Sequence, residues 1–193
     1  MNKSIFSLLL LAVLPACSGS APQRPPLEGA RMGGAFTLTN QDGKRVSNTD
    51  FKGQYRLVYF GYTFCPDVCP VDVQKLMAGF RQFELEAPAA AAKTVPIFIT
   101  VDPERDTPPV LKQFVSAFHP RLIGLTGTPA DIAAVAKLYG VVYEKEPSAN
   151  PKAYLVDHSR TAVLYGPDGA PIALIPQDGT PQAIAAEFER WVK

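Results

Sequence analysis

The stretch that most constrains this chain is Tyr59-Phe60-Gly61-Tyr62-Thr63-Phe64-Cys65-Pro66-Asp67-Val68-Cys69-Pro70. Ahead of it, Leu57-Val58-Tyr59-Phe60 is a short apolar, β-rich run, as a buried strand requires. Gly61 and the two prolines punctuate the chain. Behind it, Val73, Leu76, Met77, Phe80 and Phe83 recur at helical spacing. Pro70 suits a first helical turn, where its missing N–H costs nothing. The two thiols are therefore expected at the start of a helix, where unpaired N–H groups and the helix dipole favour a thiolate. Residues i and i+4 share a helix face, with Cα atoms about 6 Å apart. That spacing permits a disulfide, a single metal ion held by both sulfurs, or two inert thiols.

A chain of 193 residues is long enough for one domain with a real core. A net charge of +1 provides no basic field for nucleic acid. Of three cysteines, Cys65 and Cys69 form the pair and Cys17 stands alone. Cys17 follows the apolar run from Ile5 to Leu14, which is shorter than the roughly 20 residues of a membrane span and fits a signal peptide. Leu14-Pro15-Ala16-Cys17 resembles the bacterial lipobox, whose cysteine becomes the lipidated first residue, although Pro15 departs from the usual small residue. The expected organisation is a signal peptide over 1–16, a lipid anchor and flexible linker over 17–31, and one domain over 32–193. An uncleaved N-terminal anchor is the alternative. Either way the domain is exported into an oxidising compartment.

The chain order is a hairpin around Asn40-Gln41-Asp42-Gly43, then β-α-β-α-β-α, then a hairpin around Gly166-Pro167-Asp168-Gly169 and a closing helix over 181–192. This order predicts an α/β domain of the thioredoxin-like class, with a central mixed sheet and helices on both faces. Asp102, Arg105 and Asp106 follow a buried strand at its carboxyl end, where such folds place sites. They read equally as a capping and salt-bridge cluster. Of two histidines, His119 is expected as a helix-terminal charge, and His158 lies at a strand end between Asp157 and Ser159. Two thiolates and an imidazole make a soft site of low coordination that suits Cu(I), while Zn(II) with a water is the alternative.

These residues carry a resemblance. Gly61-Tyr62-Thr63-Phe64-Cys65-Pro66-Asp67-Val68-Cys69-Pro70, Val101-Asp102-Pro103-Glu104-Arg105-Asp106-Thr107-Pro108 and Tyr154-Leu155-Val156-Asp157-His158-Ser159 resemble, in order and separation, three blocks of the Sco/SenC family. The resemblance implies a membrane-tethered, thioredoxin-like copper protein on the periplasmic side of a bacterial membrane. Its metal ligands would be Cys65, Cys69 and His158. Asp157 would orient the imidazole, with Asp67, Asp102, Arg105 and Asp106 around the ligands. It implies that Cys65 and Cys69 can close a disulfide. Its partner would be the copper-bearing subunit of cytochrome c oxidase, with a periplasmic copper donor or thiol reductant upstream. The competing reading is a thiol–disulfide reductase or redox sensor, with Cys65 attacking and Cys69 resolving. Such a reductase needs no histidine.

Overall fold

The computed structural model describes residues 23–150 and 153–193. The signal segment, Cys17 and the first part of the expected linker lie outside the described residues. No helix among the described residues is long and apolar enough to cross a membrane.

The expected hairpin forms from β1 (Thr37–Asn40) and β2 (Arg45–Ser47). Asn40 Oδ1 accepts from the N–H groups of Asp42 and Lys44, and Gly43 takes a positive φ of 76° that closes the turn. The chain continues through β3 (Tyr55–Gly61), α1 (Val68–Glu86), α2 (Pro88–Ala91), β4 (Thr94–Thr100), α3 (Pro108–Phe118), β5 (Ile123–Thr126) and α4 (Pro129–Leu138). Next come β6 (Tyr143–Lys145), β7 (Val156–His158), β8 (Ala162–Tyr165), β9 (Pro171–Ile175) and α5 (Pro181–Trp191). The main sheet has the order β2-β1-β5-β4-β3-β8-β9. Its centre, β3 to β5, is parallel, and β8, β9 and β1 flank it antiparallel. This is the thioredoxin-like mixed sheet that the element order predicts.

Period-two alternation in β3 divides the core. Tyr55, Leu57 and Tyr59 face α1, α3 and α5, while Val58 and Phe60 face α4. The helical stripe of α1 (Val73, Leu76, Met77, Phe80 and Phe83) is buried as its spacing requires. Gly79 lets α5 approach closely, since a Cβ there would meet Ile184 at 2.2 Å.

Two local expectations change. The helix after the cysteines starts at Val68, so Cys69 lies inside its first turn and Cys65 before it. The segments expected as strands at 141–143 and 153–156 pair instead as β6 with β7, in a two-stranded ribbon separate from the main sheet. Glu144, Lys145 and Asp157 are exposed on it, and such a polar ribbon gains nothing from insertion into the core. The end of the expected linker touches the domain. The Leu27 N–H donates to the Ile172 carbonyl at 3.0 Å, and the partly buried Leu27 packs against the core with Met32.

Candidate functional site

The parallel strands deliver their carboxyl ends to one edge of the domain. There the loop after β3 carries Cys65, the loop after β4 carries Asp102 to Asp106, and the β6–β7 ribbon brings in His158. Cys65 and Cys69 are both buried free thiols. The Cys69 N–H donates to Cys65 Sγ at 3.4 Å, and Cys69 Sγ lies 3.0 Å from His158 Nε2. A cleft of about 260 Å³ opens over this group, lined by Tyr62, Cys65, Asp67, Leu155, Asp157 and His158 among others.

The proton positions follow from the partners. His158 Nδ1 lies 3.0 Å from the Ser159 carbonyl, which can only accept, so Nδ1 carries the proton. Burial pushes the His158 pKa below its usual value. The ring is therefore neutral, and its Nε2 lone pair faces Cys69 Sγ. Burial pushes the Cys69 thiol well up, and the neighbouring Cys65 sulfur adds to this. Burial also works against ionisation of Cys65, but the Cys69 thiol and the N–H groups of Cys69 and Asp67 outweigh it and bring the Cys65 pKa down. The pair is thus polarised, with Cys65 the more acidic thiol and Cys69 the less acidic one.

The structure separates the expected surrounding residues. Asp157 is exposed and pairs across the ribbon with Glu144, while the imidazole takes the Ser159 carbonyl instead. The orienting role expected of Asp157 is thereby corrected, because alternation along β7 turns its side chain away from His158. Asp67 is the exposed residue that opens α1, and only its backbone N–H serves Cys65. Asp102 and Asp106 are fully buried. Asp106 accepts from the N–H and hydroxyl of Thr63 at 3.0 and 2.6 Å and from the Thr100 hydroxyl at 2.6 Å, pinning the thiol loop to the end of β4. Asp102 accepts from Arg105 and, at 2.6 Å, from the Tyr154 hydroxyl, which ties the same loop to the chain that enters β7. The Arg105 guanidinium stacks 3.7 Å from the centre of the Tyr154 ring. The ion pair and hydrogen bonds of this cluster join the loops after β3 and β4 to the chain that enters β7.

Sequence reasoning missed a second support. Asp72, only 1% exposed, accepts from the Tyr59 hydroxyl at 2.8 Å and from Arg160 at 2.7 and 3.0 Å, beneath Cys69 and His158. The Tyr59 and Tyr62 rings flank the imidazole edge-on at 6.3 and 6.1 Å. The available signal was an acid one position before Val73 on the apolar face of α1, since a buried carboxylate demands a cation.

Cys65 and His158 line the cleft and Cys69 lies buried beside them, but the three do not form a closed metal site. Among the described residues no trio of His, Cys, Asp or Glu stands at metal-binding separation. The donor set nevertheless fits a soft ion: two sulfurs of unequal acidity and an imidazole nitrogen whose lone pair carries no proton.

The SCO1/SenC family model matches residues 24–193. The mitochondrial SCO2 homolog of Bos taurus is 46% identical over 136 residues, 70% of this chain and 50% of that protein. The chain spans about half the length of the curated relatives it matches. Among solved structures, copper-bound ScoI of Bradyrhizobium japonicum superposes with a TM-score of 0.75 at 40% identity, covering 83% of this chain and 99% of that one. BsSco, a member of the Sco family of cytochrome c oxidase assembly proteins in which a disulfide switch has been identified, superposes with a TM-score of 0.63 at 26% identity, covering 88% of this chain and 94% of that one.

Proposed function

The chain belongs to the SCO1/SenC family, and from that premise we propose that it is an exported copper carrier that loads copper on Cys65, Cys69 and His158 and passes it to the copper-bearing subunit of cytochrome c oxidase during assembly. The observation that carries this reading is the 3.0 Å approach of Cys69 Sγ to an imidazole nitrogen whose tautomer leaves its lone pair on that side. Copper is the cargo, and the protein's part is to present donors and keep water away. Loading displaces thiol protons, so a neutral imidazole and the lowered Cys65 pKa reduce the cost of binding. The half-exposed Leu155 lines the cleft and offers a client an apolar approach, and Phe64, in the loop that carries Cys65, is likewise half-exposed. Copper-bound ScoI and the assembly role of BsSco support the reading by family. Tethering through a lipid on Cys17, on the periplasmic side of the membrane, is part of the same proposal and rests on the sequence.

Titration of the reduced full chain with Cu(I) under anaerobic conditions is expected to give one ion per chain, and Cys65→Ser to lose it. Preference for stoichiometric zinc over supplied Cu(I) overturns the copper reading.

The polarised thiols favour a second reading. The Cys65 thiolate attacks a client disulfide, releasing one client sulfur as thiolate. Cys69, deprotonated as it reacts, then attacks the mixed disulfide and frees the second client thiol, leaving a Cys65–Cys69 disulfide. This step needs the imidazole less than copper does. A His158→Ala protein that loses copper yet still reduces a model disulfide would separate the two activities.

A further inference from the structure

At the other end of β3 the chain buries a charge without a counter-charge. Arg56 is the second residue of β3, and the alternation that sends Val58 and Phe60 into the core sends Arg56 the same way. It is only 5% exposed. Its Nε has no hydrogen-bond partner, and Nη2 reaches only the Gly166 carbonyl, at 3.5 Å. The Tyr165 ring lies 5.9 Å below the guanidinium. No ion pair to Arg56 exists among the described residues, whereas Arg105, Arg121 and Arg160 each meet a carboxylate although all are more exposed. Nor can the remaining chain supply one, because residues 1–22 and 151–152 contain no Asp or Glu. An unpaired buried guanidinium is costly, and its planar fork of donors matches a carboxylate or phosphate held by two bonds.

The space for such a group is adjacent. Arg56 lines a cavity of about 390 Å³ together with Asn48, Thr49, Lys52, Asp168 and Gly169. Lys52 adds a second cation, and the Asn48 amide and Thr49 hydroxyl add donors. Asp168 is the acidic side chain on this lining, and its Oδ1 is already occupied by the Ala170 N–H at 3.0 Å within its own turn. Gly169, at φ 92°, keeps the approach to the guanidinium open, since a Cβ there would sit 3.0 Å from Nη2.

We propose that this cavity is a binding site for a free small oxyanion, a carboxylate or phosphate, held by Arg56 and Lys52. It lies roughly 17 Å along the strand from the thiol end, at about 3.3 Å per residue. It is therefore a site separate from the copper ligands.

The test is equilibrium dialysis of the full chain against inorganic phosphate and, in a second arm, succinate, with chloride at matched ionic strength as the control. Saturable binding of one ion per chain in either arm is expected, and the better of the two ligands assigns the phosphoryl or carboxylate class. Arg56→Met should weaken binding at least about tenfold and Lys52→Gln by a smaller factor. Lys52 is exposed, so Lys52→Gln keeps the test decisive should Arg56→Met fail to fold. Absence of saturable binding in both arms overturns the site and leaves Arg56 solvated by water alone. Binding undiminished in Lys52→Gln, or in a folded Arg56→Met, overturns the assignment of these residues.

Discussion

The chain has two histidines, and the structure treats them oppositely although burial lowers the pKa of both. His119 ends α3, where its Nδ1 accepts the Arg121 N–H at 3.2 Å, so Nε2 carries the proton and donates to Glu84 at 3.2 Å. It packs edge-on against Phe80, only 3% exposed, and its two nitrogens are both committed. The helix-terminal position expected of it holds, but burial keeps the ring neutral rather than charged. His158 is half-buried, and its tautomer is reversed: Nδ1 is spent on a carbonyl, and Nε2 faces a thiol that can be displaced. The same side chain is a structural brace in one place and a candidate ligand in the other. In both the backbone takes Nδ1, and what separates them is whether it donates to that nitrogen or accepts from it.

The largest expected contrast is in copper. His158→Ala should weaken Cu(II) binding by about 100-fold, about 2.7 kcal/mol, with Cu(I) less affected because two sulfurs remain. His119→Ala should leave copper stoichiometry and affinity unchanged. Competition titrations on both variants decide it, and an equal loss in His119→Ala would break the comparison.

The next contrast is in stability, with the order reversed. His119→Ala removes a buried ring, strands the Arg121 N–H and leaves Glu84 with Arg121 alone, which should cost about 2 kcal/mol. His158→Ala opens onto the cleft and should cost under about 1 kcal/mol. Urea melts of the reduced apo-protein measure both, and a larger loss in His158→Ala would mean that the imidazole braces the fold.

The smallest effect is in pH. The folded-state pKa of His119 lies below its ordinary value of 6.5, so below that pH the unfolded chain binds a proton that the folded chain refuses. The stability His119 contributes is complete above pH 6.5 and is lost as pH falls from there through the folded-state pKa. His119→Gln should flatten that part of the acid slope of the urea midpoint between pH of about 7.5 and about 5.5. An unchanged slope would mean that His119 titrates in the fold as it does in the unfolded chain.

The CxxxC pair and its strand-to-helix setting were legible because they stand in a motif of local periodicity and punctuation, whereas His158 stood out only beside that pair and through the family resemblance. The N-terminal hairpin and the one over 162–175 were legible from the same local signals. The β6–β7 ribbon was not, since its pairing joins segments separated by a polar excursion and its strands are short. Nor was the pairing of Asp72 with Arg160, 88 positions apart. Asp157 was assigned by proximity to His158, yet neighbours on a strand point to opposite faces, and proximity along the chain was the wrong guide.

The sequence by itself determined the element order, the two-sided core and the residue types that gather at the carboxyl ends of β3 and β4. These follow from period-two and helical patterns and from turn residues, all of which act within a few positions of the chain. Only the tertiary structure decided which thiol is the more acidic, which imidazole nitrogen is left free, and that Arg56 is buried with no ion pair among the described residues. Each of those depends on hydrogen-bond donors, acceptors and charges brought together from distant positions, and on how far burial removes them from water.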